Sequence, residues 1–177
     1  MVGNQAETVH IGHVYWEPVG AILVASSEAG VVAIHMGGVE VEAFATAVEA
    51  RHFSFLFNDA GYNTRLASQM REYFAHQRKA FDVPVDYRGL SDFQRLVYEA
   101  TLAIPYGKLA TYGDVAQSIG KEKGSRAVGQ ALAHNPIPIL IPCHRVLNHK
   151  MQLHGYSGAG GLNTKRELLK HEGAILL

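Results

Sequence analysis

Cysteine is nearly missing from this chain of 177 residues, and Cys143 is the only one. A disulfide within the chain is therefore excluded, and the composition suits a reducing compartment. Long apolar runs are also missing, so no segment reaches the length of a membrane span. The opening Met1-Val2-Gly3-Asn4-Gln5-Ala6-Glu7 has neither the basic start nor the apolar stretch of a signal peptide. A cytoplasmic protein, or a nuclear one in a eukaryote, with no membrane partner is expected. Net charge is absent too, but the zero hides an asymmetry. Residues 1–89 carry six Lys and Arg against ten Asp and Glu, while residues 90–177 carry ten against six. The second half is the candidate for contact with a polyanion.

The first half has α/β patterning. Val19 to Ala25 and Val31 to Ile34 are apolar runs around the turn Ser26-Ser27-Glu28-Ala29-Gly30, which predicts a hairpin. Val39–Arg51 has a helical composition, and Phe53–Phe57 predicts a short strand. Leu66, Met70, Tyr73 and Phe74 lie on one face of a helix across 64–76. Phe81–Asp86 alternates around Pro84, as an edge strand would. The tetrapeptide His10-Ile11-Gly12-His13 matches a motif of nucleotidylyl transferases. Here it precedes Val14-Tyr15-Trp16-Glu17-Pro18, a strand and turn rather than the helix that motif needs, so chance is the better account.

The second half is mostly helical. Ser91-Asp92-Phe93-Gln94 predicts a capping box, followed by a stripe of Phe93, Leu96, Val97, Ala100 and Ile104. A helix opens at Thr111-Tyr112-Gly113-Asp114 and closes at Gly120. After the turn 121–124, Ser125 is expected to cap a helix over 126–134, giving a helix-turn-helix. A last helix is expected from a cap at Thr164 to Glu172. The boundary between domains falls near 86–90, giving domains 1–86 and 90–177. On the helix 126–134, Val128 and Leu132 should face the core, leaving Arg126, Ala127, Gln130 and Ala131 outward. That face fits either a plain structural helix or one that presses its small side chains against a DNA minor groove, about 6 Å wide. Spacing does not choose between them.

Cys143 follows Ile137-Pro138-Ile139-Leu140-Ile141-Pro142 and precedes His144 and Arg145. A lone cysteine is usually an inert, buried residue. Adjacent positive charge, however, lowers a thiol pKa and makes a nucleophile.

Taken together, these segments resemble the O6-alkylguanine-DNA alkyltransferases. The resemblance rests on Ile104-Pro105-Tyr106-Gly107, Thr111-Tyr112-Gly113-Asp114, Ser125-Arg126-Ala127-Val128-Gly129, Asn135-Pro136, Pro142-Cys143-His144-Arg145, Gly155-Tyr156-Ser157-Gly158, Lys165-Arg166-Glu167-Leu168-Leu169 and His171-Glu172-Gly173. It spans residues 90–173. The first half matches only in pattern. The family implies an N-terminal α/β domain, ribonuclease H-like, with a small antiparallel sheet and helices. It also implies a mostly α, winged-helix-like C-terminal domain.

The resemblance makes Cys143 the acceptor of an alkyl group from O6-alkylguanine, with O4-alkylthymine as a lesser substrate. His144 would be the base, acting through a water and oriented by Glu172, and Asn135 would hold the turn. Tyr112 would rotate the nucleotide outward and Arg126 would fill the gap, on a DNA-facing set completed by Ala127, Gln130, Ala131 and Arg145. Tyr112, Tyr156, Ser157 and Lys165 would line the pocket. The partner would be double-stranded alkylated DNA, met by a monomer, with no cofactor and no metal. Some relatives bind zinc through cysteines in the first domain, and residues 1–142 contain none. The stretch Tyr156–Leu162 is two residues longer than the shortest family form, which leaves tolerance of bulky alkyl groups open. A lesion sensor would lack the acceptor cysteine, and a cysteine hydrolase would turn over repeatedly.

Overall fold

A computed structural model describes residues 7–38, 40–50, 53–56 and 62–175. The expected element ends at Val39, Arg51 and Phe57, and the N-terminal residues 1–6, lie outside the described residues. The chain divides into two compact units, Met1–Gly89 and Leu90–Leu177.

The first unit runs β1 (Glu7–Trp16), β2 (Gly20–Ser27), β3 (Gly30–Met36), α1 (Val41–Glu49), β4 (Phe53–Leu56) and α2 (Tyr62–Phe74). The sheet order is β3-β2-β1-β4. The first three strands form an antiparallel meander, as the hairpin signals predict. β4 pairs parallel with β1 and extends the antiparallel sheet at its far edge. The helix α1 carries the chain across, so the strand arrives in the parallel sense.

The period of two sorts the strand residues. Val9 and Ile11 join Leu23, Ala25, Val32 and Ala33 in a core with Phe44, Ala45 and Val48 of α1. On the opposite face of β1, Trp16 stacks on Phe74 of α2 at 4.6 Å. The tetrapeptide His10–His13 lies inside β1 and leads into a hairpin, which removes the nucleotidylyl-transferase reading.

The expected edge strand over 81–86 reduces to a single parallel bridge, Val31 to Val85. Pro84 has no N–H to extend it. Val31 donates to the Pro84 carbonyl and Asp86 to the Val31 carbonyl, both at 2.9 Å. Gly30 makes this approach possible, since a Cβ there would stand 2.5 Å from the Pro84 oxygen. The buried Asp86 carboxylate then accepts from Ser27 Oγ at 2.6 Å and pairs with Arg88.

The second unit contains α3 (Asp92–Leu102), β5 (Ala110–Thr111), α4 (Tyr112–Ser118), α5 (Ser125–Ala133), a 3-10 turn (Cys143–Arg145), β6 (Val146–Leu147) and α6 (Leu162–His171). Reciprocal capping boxes start α3 at Ser91 and Gln94, and α4 at Thr111 and Asp114. α4 and α5 form the helix-turn-helix, and β5 pairs parallel with β6.

Three local expectations fail here. The inward face of α3 is Val97, Tyr98 and Thr101, with Ile104 just beyond the helix, while Leu96 is 46% exposed. Tyr98 is drawn in because its hydroxyl donates to the Ala131 carbonyl of α5 at 2.9 Å. Ser125 is not a cap: Gly124 holds that position, in a turn so tight that a Cβ would meet the Lys121 carbonyl at 2.8 Å. Thr164 lies inside α6 rather than at its start, and its hydroxyl donates to the Ala159 carbonyl at 2.6 Å. Among the described residues, no helix is long and apolar enough to cross a membrane.

Candidate active site

The segment leading to Cys143 is short of backbone donors, because Pro136, Pro138 and Pro142 have none. Asn135 makes up the deficit. Its Nδ2 donates to the Ile141 carbonyl at 2.9 Å, and its Oδ1 accepts from Ile137 N at 3.0 Å. The loop closes tightly enough to hold Ile139 at φ 74°, a costly conformation for a β-branched residue. Cys143 ends the apolar, proline-stiffened run Ile137–Pro142. It opens a 3-10 turn, since the proline-broken run cannot carry a ladder. In such a turn successive side chains still diverge, so Cys143 and His144 face different ways.

Cys143 is 6% exposed and lines a cavity of about 800 Å³. Tyr112, Arg126, Gly129, Gln130, His154, Tyr156 and Ser157 also line it. Burial raises the thiol pKa, against the opposing hydrogen bond from Asn135 and charge of Lys165. The net shift is therefore upward, not the lowering expected from the adjacent His144 and Arg145. His144 is held neutral by burial, which outweighs the pull of Glu172, and the Arg145 charge is already committed.

That commitment is to Glu172, the C-cap of α6, which is itself buried. Arg145 Nε and its terminal amine donate to the two Glu172 oxygens at 2.9 and 2.8 Å, and its other amine donates to the Ile104 carbonyl at 2.6 Å. Gly107 N donates to Glu172 Oε2 at 3.2 Å. The fourth donor is His144 Nε2, at 2.9 Å from Oε1, with both side chains fully enclosed. Burial would raise the carboxyl, but the His144 and Arg145 hydrogen bonds and charges hold it well below the usual carboxylate range. Because Nε2 donates to this carboxylate, Nδ1 of the neutral ring carries the free lone pair, and it has no hydrogen-bond partner among the described residues. A buried base with an unused lone pair thus sits next in sequence to a buried thiol.

Arg145 must accordingly leave the DNA-facing set: its side chain is 8% exposed, and with its fork on Glu172 it has no face for a phosphate. Ala131 leaves it as well, at 6% exposed. At 100° per residue it lies only 60° from Val128, close to the core side of α5. Arg126, Ala127 and Gln130 are exposed on the outer side, and Ala133 joins them. Tyr112, the first residue of α4, donates to the His154 carbonyl at 3.2 Å. Its ring lies over Gly129 of α5, where a Cβ would stand 3.8 Å away.

Lys165 is fully buried behind the cavity wall rather than in its lining. Its ammonium donates to the carbonyls of Val146, His154 and Gly155 at 2.7, 3.0 and 3.3 Å. Burial lowers its pKa to about 8, with the Cys143 charge opposing. Sequence reasoning missed this clamp, and also His154 and Gly129, which act through a carbonyl and through the lack of a side chain.

Comparison with known proteins places similar chains beside this one. The model of the 6-O-methylguanine DNA methyltransferase DNA-binding domain matches residues 92–174, and that of the ribonuclease-like domain of the same name matches residues 12–87. A methylated-DNA–protein-cysteine methyltransferase of Methanosarcina acetivorans is 40% identical over 163 residues, covering 91% of this chain and 97% of its own. The Mycobacterium tuberculosis protein of the same name is 46% identical over 114 residues, covering 64% and 67%. The crystal structure of Mycobacterium tuberculosis OGT in complex with DNA is similar with a TM-score of 0.75 at 35% identity, covering 92% of each chain.

Proposed function

The chain belongs to the 6-O-methylguanine DNA methyltransferase family, and from that premise we propose how its residues divide the work. The protein binds DNA and repairs O6-methylguanine directly, by methyl transfer to a cysteine. The acceptor is Cys143. The observation that carries this is the coincidence of the one cysteine of the sequence with the cavity wall and with the buried His144–Glu172 pair.

The thiol is protonated at rest, since burial raises its pKa. His144 Nδ1 takes the proton through a bridging water, and Glu172 stabilises the imidazolium that forms. A sulfur lone pair then forms the S–C bond, while the C–O6 pair stays with guanine. The proton held on His144 returns to the departing base. The product is a thioether, which has no carbonyl for water to attack, so each molecule reacts once. O4-alkylthymine presents the same alkyl–oxygen bond and is a lesser substrate.

The base must leave the stack to reach Cys143, which costs a few kcal/mol. Tyr112 turns the nucleotide outward and Arg126 occupies the gap. Ala127 and Gln130 allow α5 to approach the minor groove closely, and one protein molecule suffices. Ser157 and Tyr156 line the pocket for the extruded base. Asn135 fixes the turn that presents the sulfur, and Lys165 fixes the wall at His154 and Gly155.

Intact-protein mass spectrometry after incubation with an O6-methylguanine duplex tests this. A lasting gain of one methyl group on Cys143 is expected, and Cys143→Ser is expected to bind the duplex while accepting nothing. Repair with the mass of the protein unchanged would refute the assignment.

A further inference from the structure

A carboxylate that orients a base must be held still, yet Glu172 is the C-cap of α6. Helices fray there, and their last carbonyls lack partners within the helix. The loop between α3 and β5 supplies what the helix end lacks. Tyr106 Oη donates at 2.9 Å to the His171 carbonyl, which belongs to the planar peptide unit leading into Glu172. The next residue, Gly107, donates its N–H to Glu172 Oε2 at 3.2 Å. Consecutive loop residues thus hold Glu172 by its backbone and by its carboxylate. The approach is close: Gly107 adopts φ 73°, and a Cβ there would stand 3.1 Å from the Glu172 carbonyl oxygen. At the start of the same loop, the Ile104 carbonyl accepts from Arg145. Burial, and after it the Glu172 charge, raise the Tyr106 phenol above its ordinary range, so it stays an O–H donor. Tyr106 lies outside the lining of the cavity.

We propose that Tyr106 is a positioning residue for alkyl transfer, acting through Glu172 to aim the Nδ1 lone pair of His144. This rests on the alkyl-transfer reading above. The hydroxyl fixes the peptide plane before Glu172, and the carboxylate fixes the Nε2 side of the imidazole. Nδ1, on the far side of the same rigid ring, is aimed as a result. Without the hydroxyl the last turn of α6 is free to shift, and the bond between Glu172 and His144 slackens. Burial, Arg145 and Lys165 lower the His144 pKa and Glu172 raises it, so a slackened Glu172 moves it further down. His144 then becomes a weaker base, and the imidazolium formed during transfer loses part of its counter-charge.

Tyr106→Phe keeps the ring and removes only the oxygen. Its control is Tyr98→Phe, which removes a comparable bond in the same unit, to the Ala131 carbonyl of α5 rather than to α6. Single-turnover methyl transfer is followed with saturating methylated duplex between about pH 5 and 9, well below the thermal midpoint of each variant. Tyr106→Phe is expected to transfer about three- to tenfold more slowly at neutral pH, with the acid limb of its profile displaced to lower pH. Its duplex affinity should stay at the wild-type value, and Tyr98→Phe should keep both the wild-type rate and the wild-type limb. Transfer by Tyr106→Phe at the wild-type rate would overturn the proposal. A slowed rate with the acid limb unmoved would also overturn it, because the hydroxyl would then serve the fold and not the base. Equal slowing in Tyr98→Phe would do the same, by showing that any lost tether of this kind suffices. A wild-type protein that never gains a methyl group would instead defeat the alkyl-transfer reading itself.

Discussion

In residues 1–89 the buried carboxylate of Asp86 meets Ser27 and Arg88. In residues 90–177 the buried carboxylate of Glu172 meets His144, Arg145 and Gly107. Both join a carboxylate to an arginine, but their surroundings differ. The Arg88 side chain is 44% exposed, so its pair with Asp86 is screened and fastens a loop to the edge of the sheet. The Arg145 side chain is 8% exposed and the pair around Glu172 is almost fully desolvated. Removing one partner there leaves a charge with neither water nor a counter-ion. The second cluster also ends in an unused lone pair on His144. A buried ion pair alone therefore does not mark a site. Enclosure of the charges, together with one polar atom left unpaired beside a nucleophile, does.

Glu172→Gln tests the contrast most severely. It strips the counter-charge from Arg145 and the orienting acceptor from His144, so a loss of about 3–5 kcal/mol is expected, with slowed alkyl transfer in whatever remains folded. The pH dependence follows from the depressed carboxyl. Above the ordinary glutamate value of about 4.3 its stabilisation is fully present. As pH falls below that value the unfolded chain takes up the proton first, and stability is withdrawn until the folded carboxylate protonates too. Urea titrations between neutral and acid pH should show this slope in the wild type and less of it in the variant. An unchanged acid slope would mean that Glu172 is not the group in question.

Gly30→Ala attacks the other cluster. The added Cβ would collide with the Pro84 carbonyl, so the seam closed by Asp86 should open at a cost of about 2–3 kcal/mol. Transfer by the protein that stays folded should proceed at the wild-type rate. A slowed single-turnover rate would show that the first unit contributes to the chemistry and would break the comparison.

The smallest effect is expected for Arg126→Ala. The residue is exposed on α5, so thermal stability should hold. Affinity for the methylated duplex should fall by roughly 1–3 kcal/mol, with a shallower dependence on salt. Binding isotherms at several salt concentrations decide this, and an unchanged slope would remove Arg126 from the DNA face.

Much of the second unit was legible because its working residues are neighbours in the chain. Pro142, Cys143 and His144 announce a nucleophile and a base, and the Thr111–Asp114 pattern announces a helix start through capping chemistry that needs no tertiary context. What stayed hidden depends on partners far away in sequence. Arg145 reads as a surface cation until Ile104 and Glu172 enclose it. The Lys165 clamp ends on backbone carbonyls, which every residue possesses and no sequence advertises. In the first unit the hairpin of β2 and β3 was plain from its turn. The length of β1 was masked by Gly12 and its flanking histidines, and the parallel entry of β4 is set by a crossover that no local pattern records.

Lys165 and Glu172 sit about two turns apart along α6, one gripping the cavity wall and the other anchoring the base. A single rigid rod thus sets the spacing between pocket and proton acceptor. Residues 158–161 fall upstream of that rod, where Gly160 and Gly161 hold positive φ and Thr164 ties the Ala159 carbonyl back to the helix. One residue added within α6 would turn everything beyond it by about 100° and put the wall and the acid–base pair out of phase.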